Sequence, residues 1–165
     1  MPTVRTITPC LWFDGQAEDA AIFYVGIFPN SRVTTVAYYG DAGREIHGQP
    51  PGRVMVAAFE LDGQPFTALN GGPLFRFSEA VSFQVSCDSQ DEIDYYWGKL
   101  GEGGDESSRQ CGWLKDRFGL SWQVVPRMMG ELITSTAPGA CERVMSAMLQ
   151  MKKLDLSALM AAAAP

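Results

Sequence analysis

The residues of this chain that could carry chemistry are few and scattered. His47 is the only histidine, and it lies in a Gly- and Pro-rich stretch at residues 40–52. A histidine there can lend a proton to a pocket that the loop covers, or it can simply be solvated. The cysteines are far apart and form no C-x-x-C pair, so neither a zinc site nor a disulfide framework is indicated. We expect small buried thiols at Cys10, Cys87, Cys111 and Cys141.

Two further polar features allow both a functional and a structural interpretation. Asn70 precedes Gly71 and Gly72. It can donate to a ligand carbonyl, or it can tolerate a positive φ at the end of a strand. Lys115 and Asp116 are adjacent, and they form either a functional pair or a hairpin surface ion pair that contributes little to stability.

The composition excludes several classes of partner. The chain has 165 residues with 46% hydrophobic and 19% charged residues, which is an ordinary balance for a globular protein. Its net charge is −6 with only 13 Lys and Arg, so nucleic acid is not expected as a partner. No apolar stretch approaches the roughly 20 residues that span a bilayer, and the start lacks the apolar run of a secretory signal. We therefore expect a cytoplasmic protein that does not interact with membranes.

The element pattern of the first half is β-α-β-β-β. A β-rich segment is followed by a segment whose apolar residues recur at helical spacing, and a predicted hairpin turns at Asp62 and Gly63. The predicted strands cover residues 4–13, 31–39, 53–61 and 64–70, and the helix covers 16–28.

The same pattern then repeats in the second half. Residues 80–87 alternate as in a half-buried strand, and a helix opens at residues 88–91 and runs to about Leu100. Strands are predicted at 105–111, 112–116 and 120–125, followed by helices at 138–151 and 155–160. The C-terminal helices pack either on their own sheet or on a second subunit, and the sequence does not choose between these.

A repeat whose units cannot cover their own sheets implies that the sheets pair. We predict one domain over residues 1–165, with modules at about 4–73 and 79–126 and a helical segment at about 127–162. The predicted fold class is α+β, with paired βαβββ modules forming a curved mixed sheet around a pocket.

Several motifs together resemble a known family. They include Phe59-Glu60-Leu61-Asp62-Gly63-Gln64, Leu69-Asn70-Gly71-Gly72 and Cys111-Gly112-Trp113-Leu114-Lys115-Asp116-Arg117-Phe118-Gly119. The chain from Val4 to about Lys153 resembles the PhnB-like family, which often carries the label "3-demethylubiquinone-9 3-methyltransferase". This family is part of the vicinal oxygen chelate superfamily, with glyoxalases, bleomycin-resistance proteins and extradiol dioxygenases. The resemblance implies the glyoxalase/bleomycin-resistance fold.

The methyltransferase label does not fit the glycine pattern. A typical S-adenosylmethionine methyltransferase needs a Gly-rich turn between a strand and a helix in a parallel sheet. The Gly-rich clusters of this chain, residues 71–72 and 101–104, lie between the modules and after a helix. Methyl transfer is therefore not expected.

The resemblance implies one metal ligand on each of four strands, at Pro9, Glu60, near Ser82 and at Gln123. Only Glu60 and Gln123 have suitable donor atoms, because proline has no side-chain donor and serine binds divalent metals poorly. We therefore expect neither a bound metal nor another cofactor. Glu60 is then a general base facing a pocket, or else a solvated charge at a strand end.

Strand alternation predicts which side chains line the pocket. It places Leu11 and Phe13 on the face of Pro9, and it turns Trp12 and Trp122 toward the helices. The predicted ligand-binding residues form an apolar cup with polar fixtures: Leu11, Phe13, Glu60, Asn70, Ser82, Gln84 and Gln123.

Two functions remain open. The protein either binds a small apolar or aromatic molecule without chemistry, or it is a glyoxalase-like lyase, isomerase or dioxygenase that uses Glu60 as base or metal ligand. A homodimer is also expected, from the resemblance and from an apolar stripe of Val144, Met148 and Met151 that would otherwise meet water.

Overall fold

The computed structural model describes residues 7–164, so the predicted beginning of the first strand, Val4 to Thr6, lies outside the described residues. The chain divides into two compact units, the first ending at Arg76 and the second beginning at Phe77. This break falls in the segment predicted to join the two modules. The organisation of both into a single domain stays a prediction.

The first unit follows the predicted β-α-β-β-β order. The elements are β1 Cys10–Phe13, α1 Ala17–Val25, β2 Arg32–Tyr38, α2 Arg44–His47, β3 Val54–Leu61 and β4 Gln64–Asn70. The short helix α2 interrupts the stretch predicted as a loop. The strands form a sheet with the order β1-β4-β3-β2, in which β1 and β4 are parallel and the other neighbours antiparallel.

The hairpin between β3 and β4 confirms the turn predicted from the sequence. Asp62 and Gly63 both have positive φ, at 45° and 79°. This pair of left-handed residues is typical of the type I′ turn, whose twist matches that of the strands. The turn fixes the register in which Phe59 lies opposite Phe66.

One face of the first sheet packs against α1. Ala17, Ala20 and Ala21 are completely buried, because small side chains let the helix approach the strands closely. The ring of Tyr24 stacks on Phe59 at a centroid distance of 6.0 Å, and Phe59 stacks on Phe66 at 5.3 Å. This face is therefore the apolar core of the first unit.

The second unit contains a second mixed sheet and most of the helices. Its elements are β5 Ser82–Cys87, α3 Gln90–Gly101, a 3-10 helix Glu106–Ser108, β6 Trp113–Lys115, β7 Ser121–Pro126, α4 Met129–Ile133, α5 Ala140–Met148 and α6 Leu156–Ala163. The strand order is β5-β7-β6, in which β5 and β7 are parallel and β6 and β7 antiparallel. The predicted α+β class is confirmed, with two mixed sheets in the described part of the chain.

The strand predicted at residues 105–111 is not formed. The Asp105 carboxylate accepts hydrogen bonds from the backbone N–H and the hydroxyl of Ser107, at 2.9 and 2.7 Å. These local bonds favour the 3-10 turn over an extended strand. The backbone pairing of Gln110 with Trp113 is an isolated bridge rather than part of a strand. The second sheet therefore has three strands among the described residues, one fewer than predicted.

Helix α3 begins where the sequence predicts. The Ser89 hydroxyl accepts a hydrogen bond from Glu92 N at 3.3 Å, and the Glu92 carboxylate accepts one from Asp88 N at 2.7 Å. The Ser89 hydroxyl thus satisfies a backbone donor that the helix leaves free at its start, and the Glu92 carboxylate holds the residue before the cap. The helix buries Ile93 and Leu100 completely.

The C-terminal helices have an apolar cluster of their own, formed by Leu132, Val144, Leu154 and Leu159. Val144 is completely buried, and Met148 and Met151 are half-buried and pack against the cluster. The prediction that these three residues form an exposed stripe for a second subunit is therefore wrong. Leu132 of α4 and Leu159 of α6 belong to the same cluster as Val144, so much of the stripe is buried within this chain.

Within residues 7–164, no helix is long and apolar enough to cross a membrane.

Candidate functional site

Leu11 and Phe13 lie on the face of the first sheet that α1 covers. In the parallel pair of β1 and β4, Leu11 lies opposite Ala68 and Phe13 opposite Asn70, and Ala68 in turn lies opposite Ala57 on β3. Leu11 and Phe13 are only 6% and 3% exposed. Because neighbouring residues of a strand point to opposite faces, neither shares a face with Glu60. The structure thus places Leu11 and Phe13 in the core of the first unit, away from Glu60, and a ligand contact of either residue stays a prediction.

Trp12 is placed opposite to the prediction for the same reason. Its indole N–H donates to Gly72 O at 2.8 Å, and its ring meets Phe75 edge-on at 4.9 Å. Alternation had correctly grouped the side chains of β1, but it does not say on which side of a sheet the helix will pack. That choice depends on strands distant in sequence.

Asn70 supports the fold of the first unit. Its side-chain oxygen accepts hydrogen bonds from Gly15 N at 3.0 Å and Ala17 N at 2.9 Å, and its amide donates to Val54 O at 2.9 Å. The residue is 1% exposed. It therefore caps the start of α1 from a neighbouring strand, and a ligand contact of Asn70 stays a prediction.

Glu60 lies on the opposite face, where Arg32 of the neighbouring strand pairs with it. The Arg32 guanidinium is 2.9 Å from Glu60 Oε2, and the Glu60 side chain remains 31% exposed. The two residues are register partners. This oxygen is thus already engaged by a cation, and a catalytic role for Glu60 stays a prediction.

Several polar side chains share the face of the second sheet that is turned away from α3. In register, Ser121 lies between Ser82 and Lys115, and Gln123 lies between Gln84 and Trp113. The other face carries Leu114, Trp122 and Val124, which are nearly or fully buried. We call the first of these faces the polar face, defined by Ser82, Gln84, Trp113, Lys115, Ser121 and Gln123.

A chain of neutral hydrogen bonds crosses the polar face. The Gln84 amide donates to Gln123 Oε1 at 3.2 Å, and the Gln123 amide donates to Ser82 Oγ at 2.8 Å. The structure thus brings together three residues that the sequence predicted as ligand contacts. Since Ser82 Oγ acts as an acceptor here, its own hydrogen remains for a further partner.

Lys115 and Asp116 contact different groups. Lys115 pairs with Glu79, and it holds the pKa of that carboxyl below its usual range. Asp116 is buried, and its carboxylate accepts from the Trp122 indole N–H at 2.8 Å and from Leu120 N at 3.1 Å. Successive residues of β6 and of the turn after it therefore have different roles, and only Lys115 belongs to the polar face.

Ser121 was not predicted to bind a ligand, although alternation places it beside Gln123. It is 1% exposed, and its hydroxyl has no hydrogen-bond partner within residues 7–164. A buried hydroxyl normally has a partner, because burial without one costs free energy. Its position on β7, two residues before Gln123, was enough to predict that Ser121 lies on the polar face.

The two residues that could bind the metal implied by the family resemblance, Glu60 and Gln123, already contact other side chains. Glu60 Oε2 is paired with Arg32, and Gln123 Oε1 accepts from Gln84. Within the described residues 7–164, no group of three or more His, Cys, Asp or Glu side chains is placed to hold a metal ion. The residues present do not fit a divalent metal centre that needs at least three protein ligands.

His47 organises its own loop. Its Nδ1 accepts from Gln49 N at 3.0 Å, and Nε2 lies 3.2 Å from Ala42 O. With Nδ1 as the acceptor, Nε2 is the ring nitrogen that donates to Ala42 O. The ring also packs against Tyr39 at a centroid distance of 4.6 Å.

The β-α-β-β-β first unit, the second mixed sheet and the polar face define an α+β protein of the same kind as the sequence resemblance implied. A family model described as 3-demethylubiquinone-9 3-methyltransferase matches residues 5–125. The chain belongs to this family, the PhnB-like proteins. The match ends before α4, so the three C-terminal helices of the described chain lie beyond it.

Solved structures agree with this assignment. A putative 3-demethylubiquinone-9 3-methyltransferase, PhnB protein, from Bacillus cereus is 32% identical, with a TM-score of 0.61 over 73% of this chain and 99% of that one. The protein PA1353 from Pseudomonas aeruginosa shares the fold at 21% identity, with a TM-score of 0.57 over 74% and 98% of the two chains. A search of curated proteins found no match.

Proposed function

We propose that this protein binds a small planar organic molecule on the polar face of its second sheet, without a metal ion. The observation that carries the proposal is the chain of hydrogen bonds through Gln84, Gln123 and Ser82. A row of neutral amide and hydroxyl groups is typical of sites that orient a ligand by hydrogen bonds.

Trp113 supplies the apolar part of the proposed site. It lies opposite Gln123 in the sheet and is half-buried, so part of its ring remains open to contact. An indole ring offers a large flat surface at a low cost in side-chain entropy, and it packs well against aromatic or other planar groups. The ligand is thus proposed to lie against Trp113 with its polar groups toward the amides.

The proposal does not include methyl transfer. The word methyltransferase appears in the name of the family whose model matches residues 5–125. A cofactor-binding turn needs a glycine-rich segment between a strand and a helix, and the glycine clusters of this chain lie elsewhere. Residues 71–72 follow β4, and residues 101–104 lie at and after the end of α3. We therefore propose binding as the function.

Benzamide is a suitable neutral, planar probe. Titration followed by amide chemical shifts should move the resonances of β5, β6 and β7, and Gln123→Leu should weaken binding roughly tenfold, because it removes the central donor and acceptor of the chain. Gln64→Leu, at the exposed start of β4, is the matched control and should bind benzamide like the native protein. Shifts spread over both sheets, or an unchanged affinity of Gln123→Leu, would refute the proposal.

Self-association and cytoplasmic location are further proposals. The stripe of Val144, Met148 and Met151 no longer supports a dimer, because the chain covers it; the family resemblance remains as support. Light scattering should give a mass twice the 18.0 kDa of one chain, and a mass of one chain would refute the dimer.

A further inference from the structure

A cavity of about 190 Å³ lies at the carboxyl ends of the two parallel strands of the second sheet. Cys87 and Pro126 end these strands, are register partners and line the cavity. Cys87 is five residues from Ser82, so strand alternation places its side chain on the face opposite the polar face. In open α/β sheets, ligands bind outside the carboxyl ends of the strands. The cavity is therefore a candidate site separate from the polar face.

The cavity has room for one six-membered ring with a small substituent. An apolar cavity of about 150 Å³ in another protein holds benzene, and the present cavity is somewhat larger. Pro126 is buried and Met128 and Leu156 are half-buried, and all three line the cavity. The Cys87 side chain adds a small apolar surface. These walls suit a compact apolar group.

The charges around the cavity are negative in sum. Arg127 lines it, but the Asp88 carboxylate binds its guanidinium twice, at 2.7 and 3.0 Å. Glu131 also lines it, is exposed, and makes no ion pair or hydrogen bond within residues 7–164. Burial, Glu92 and Asp88 raise the pKa of the Cys87 thiol to about 11, so this side chain stays uncharged at neutral pH. Glu131 thus adds a negative charge that no cation of the described chain offsets.

We propose that this cavity binds a small organic cation, in which a compact apolar ring carries an ammonium group that contacts the Glu131 carboxylate. An anionic ligand would have to displace Asp88 from its two-point contact with Arg127, which is a strong arrangement, and it would then face Glu131. A metal ion suits the cavity less well, because the part of the chain that the structure describes has no group of three His, Cys, Asp or Glu side chains placed to hold one. The organic cation is the class that fits both the apolar walls and the charge.

Cyclohexylamine and cyclohexanol form a matched pair of probes, since the amine is protonated at neutral pH and the alcohol keeps the ring without the charge. The native protein should bind the amine roughly fivefold more tightly, as expected for one partly exposed ion pair. Amide chemical shifts should move at Cys87, Arg127 and Met128. Glu131→Gln should remove the preference and leave cyclohexanol unchanged. Glu142→Gln, at an exposed position of α5, is the control and should change neither affinity.

Leu156→Trp tests the cavity itself, because the larger side chain should fill it and weaken both probes at least tenfold. The substitution keeps the backbone N–H that donates to Gln90 Oε1 at 2.8 Å, and circular dichroism checks that the variant folds. Equal affinities of the native protein for the two probes, or an unchanged preference in Glu131→Gln, would overturn the assignment of a cation. Shifts away from the cavity, or none with either probe, would overturn the site. Benzamide binding is measured on the opposite face of the sheet, so its result decides the proposed function separately.

Discussion

Replacing Asn70 by alanine should destabilise the first unit by removing the contacts that join β4 to the start of α1. The lost contacts are the hydrogen bonds from Gly15 N and Ala17 N to the side-chain oxygen and the bond from the side-chain amide to Val54 O. Alanine makes none of these bonds, and at this 1% exposed position water does not replace them easily.

The size of the effect follows from the number of groups left without a partner. A typical intramolecular hydrogen bond contributes about 1 kcal/mol net, and an unsatisfied buried donor or acceptor costs about 1–3 kcal/mol. The lost bonds of Asn70 therefore predict a decrease of about 3 kcal/mol in the free energy of unfolding. With a urea dependence of about 2 kcal/mol per molar, the midpoint of unfolding should fall by about 1.5 M.

Urea titrations followed by circular dichroism measure this midpoint. Gln64→Ala is the matched control, because it removes an amide from an exposed position of the same strand; its effect should stay within about 0.5 kcal/mol. Amide hydrogen exchange should also become faster at Ala17, whose N–H loses its acceptor. A loss below about 1 kcal/mol in Asn70→Ala, with unchanged exchange at Ala17, would refute the structural role of this side chain.

Three further substitutions test other contacts. Gly71→Ala should destabilise by about 1–3 kcal/mol in urea titrations, because its Cβ would overlap the Trp12 ring; an unchanged midpoint would contradict this packing. Arg143→Ala should speed hydrogen exchange in the last turn of α6, because the guanidinium donates to Ala162 O at 2.9 Å and to Ala164 O, just after the helix, at 2.7 Å; native-like exchange would contradict such capping. Lys153 lowers the pKa of the Asp94 carboxyl. Their ion pair therefore stabilises the folded protein at pH values above the usual pKa of an aspartate, and this stabilisation is lost as the pH falls through the lowered pKa. Asp94→Asn should thus be less stable than the native protein at pH 6 and equal to it once Asp94 is protonated, and a difference that persists in acid would contradict the pairing.

Local signals in the sequence predicted much of the fold. The hairpin at Asp62 and Gly63 depends on two adjacent residues with positive φ, and the start of α3 depends on Ser89 and its immediate neighbours. Such turns and helix starts form among residues that are close in the chain, so they can be predicted from the sequence alone. The strand predicted at residues 105–111 does not form, and the reason is also local: the Asp105 carboxylate accepts a hydrogen bond from the backbone N–H of Ser107.

The candidate site was predictable only where alternation within one strand was enough. Ser82 and Gln84 are two residues apart on β5, and their common face could be inferred; that Gln123 lies directly beside Gln84 is a matter of strand register. The same reasoning did not predict that Leu11 and Phe13 lie in the core, because alternation groups side chains without stating which face a helix will cover.

The sequence by itself determined the α+β class, the order of elements in the first unit, and the neutral amides of the second sheet. Only the tertiary structure decided that Asn70 caps α1, that Arg32 pairs with Glu60, and that Ser121, beside Lys115, has no hydrogen-bond partner among residues 7–164. These contacts join strands or helices that are far apart along the chain. Their geometry depends on the order and register of the strands. These are set by the free energy of the whole folded unit and not by the preference of any one segment.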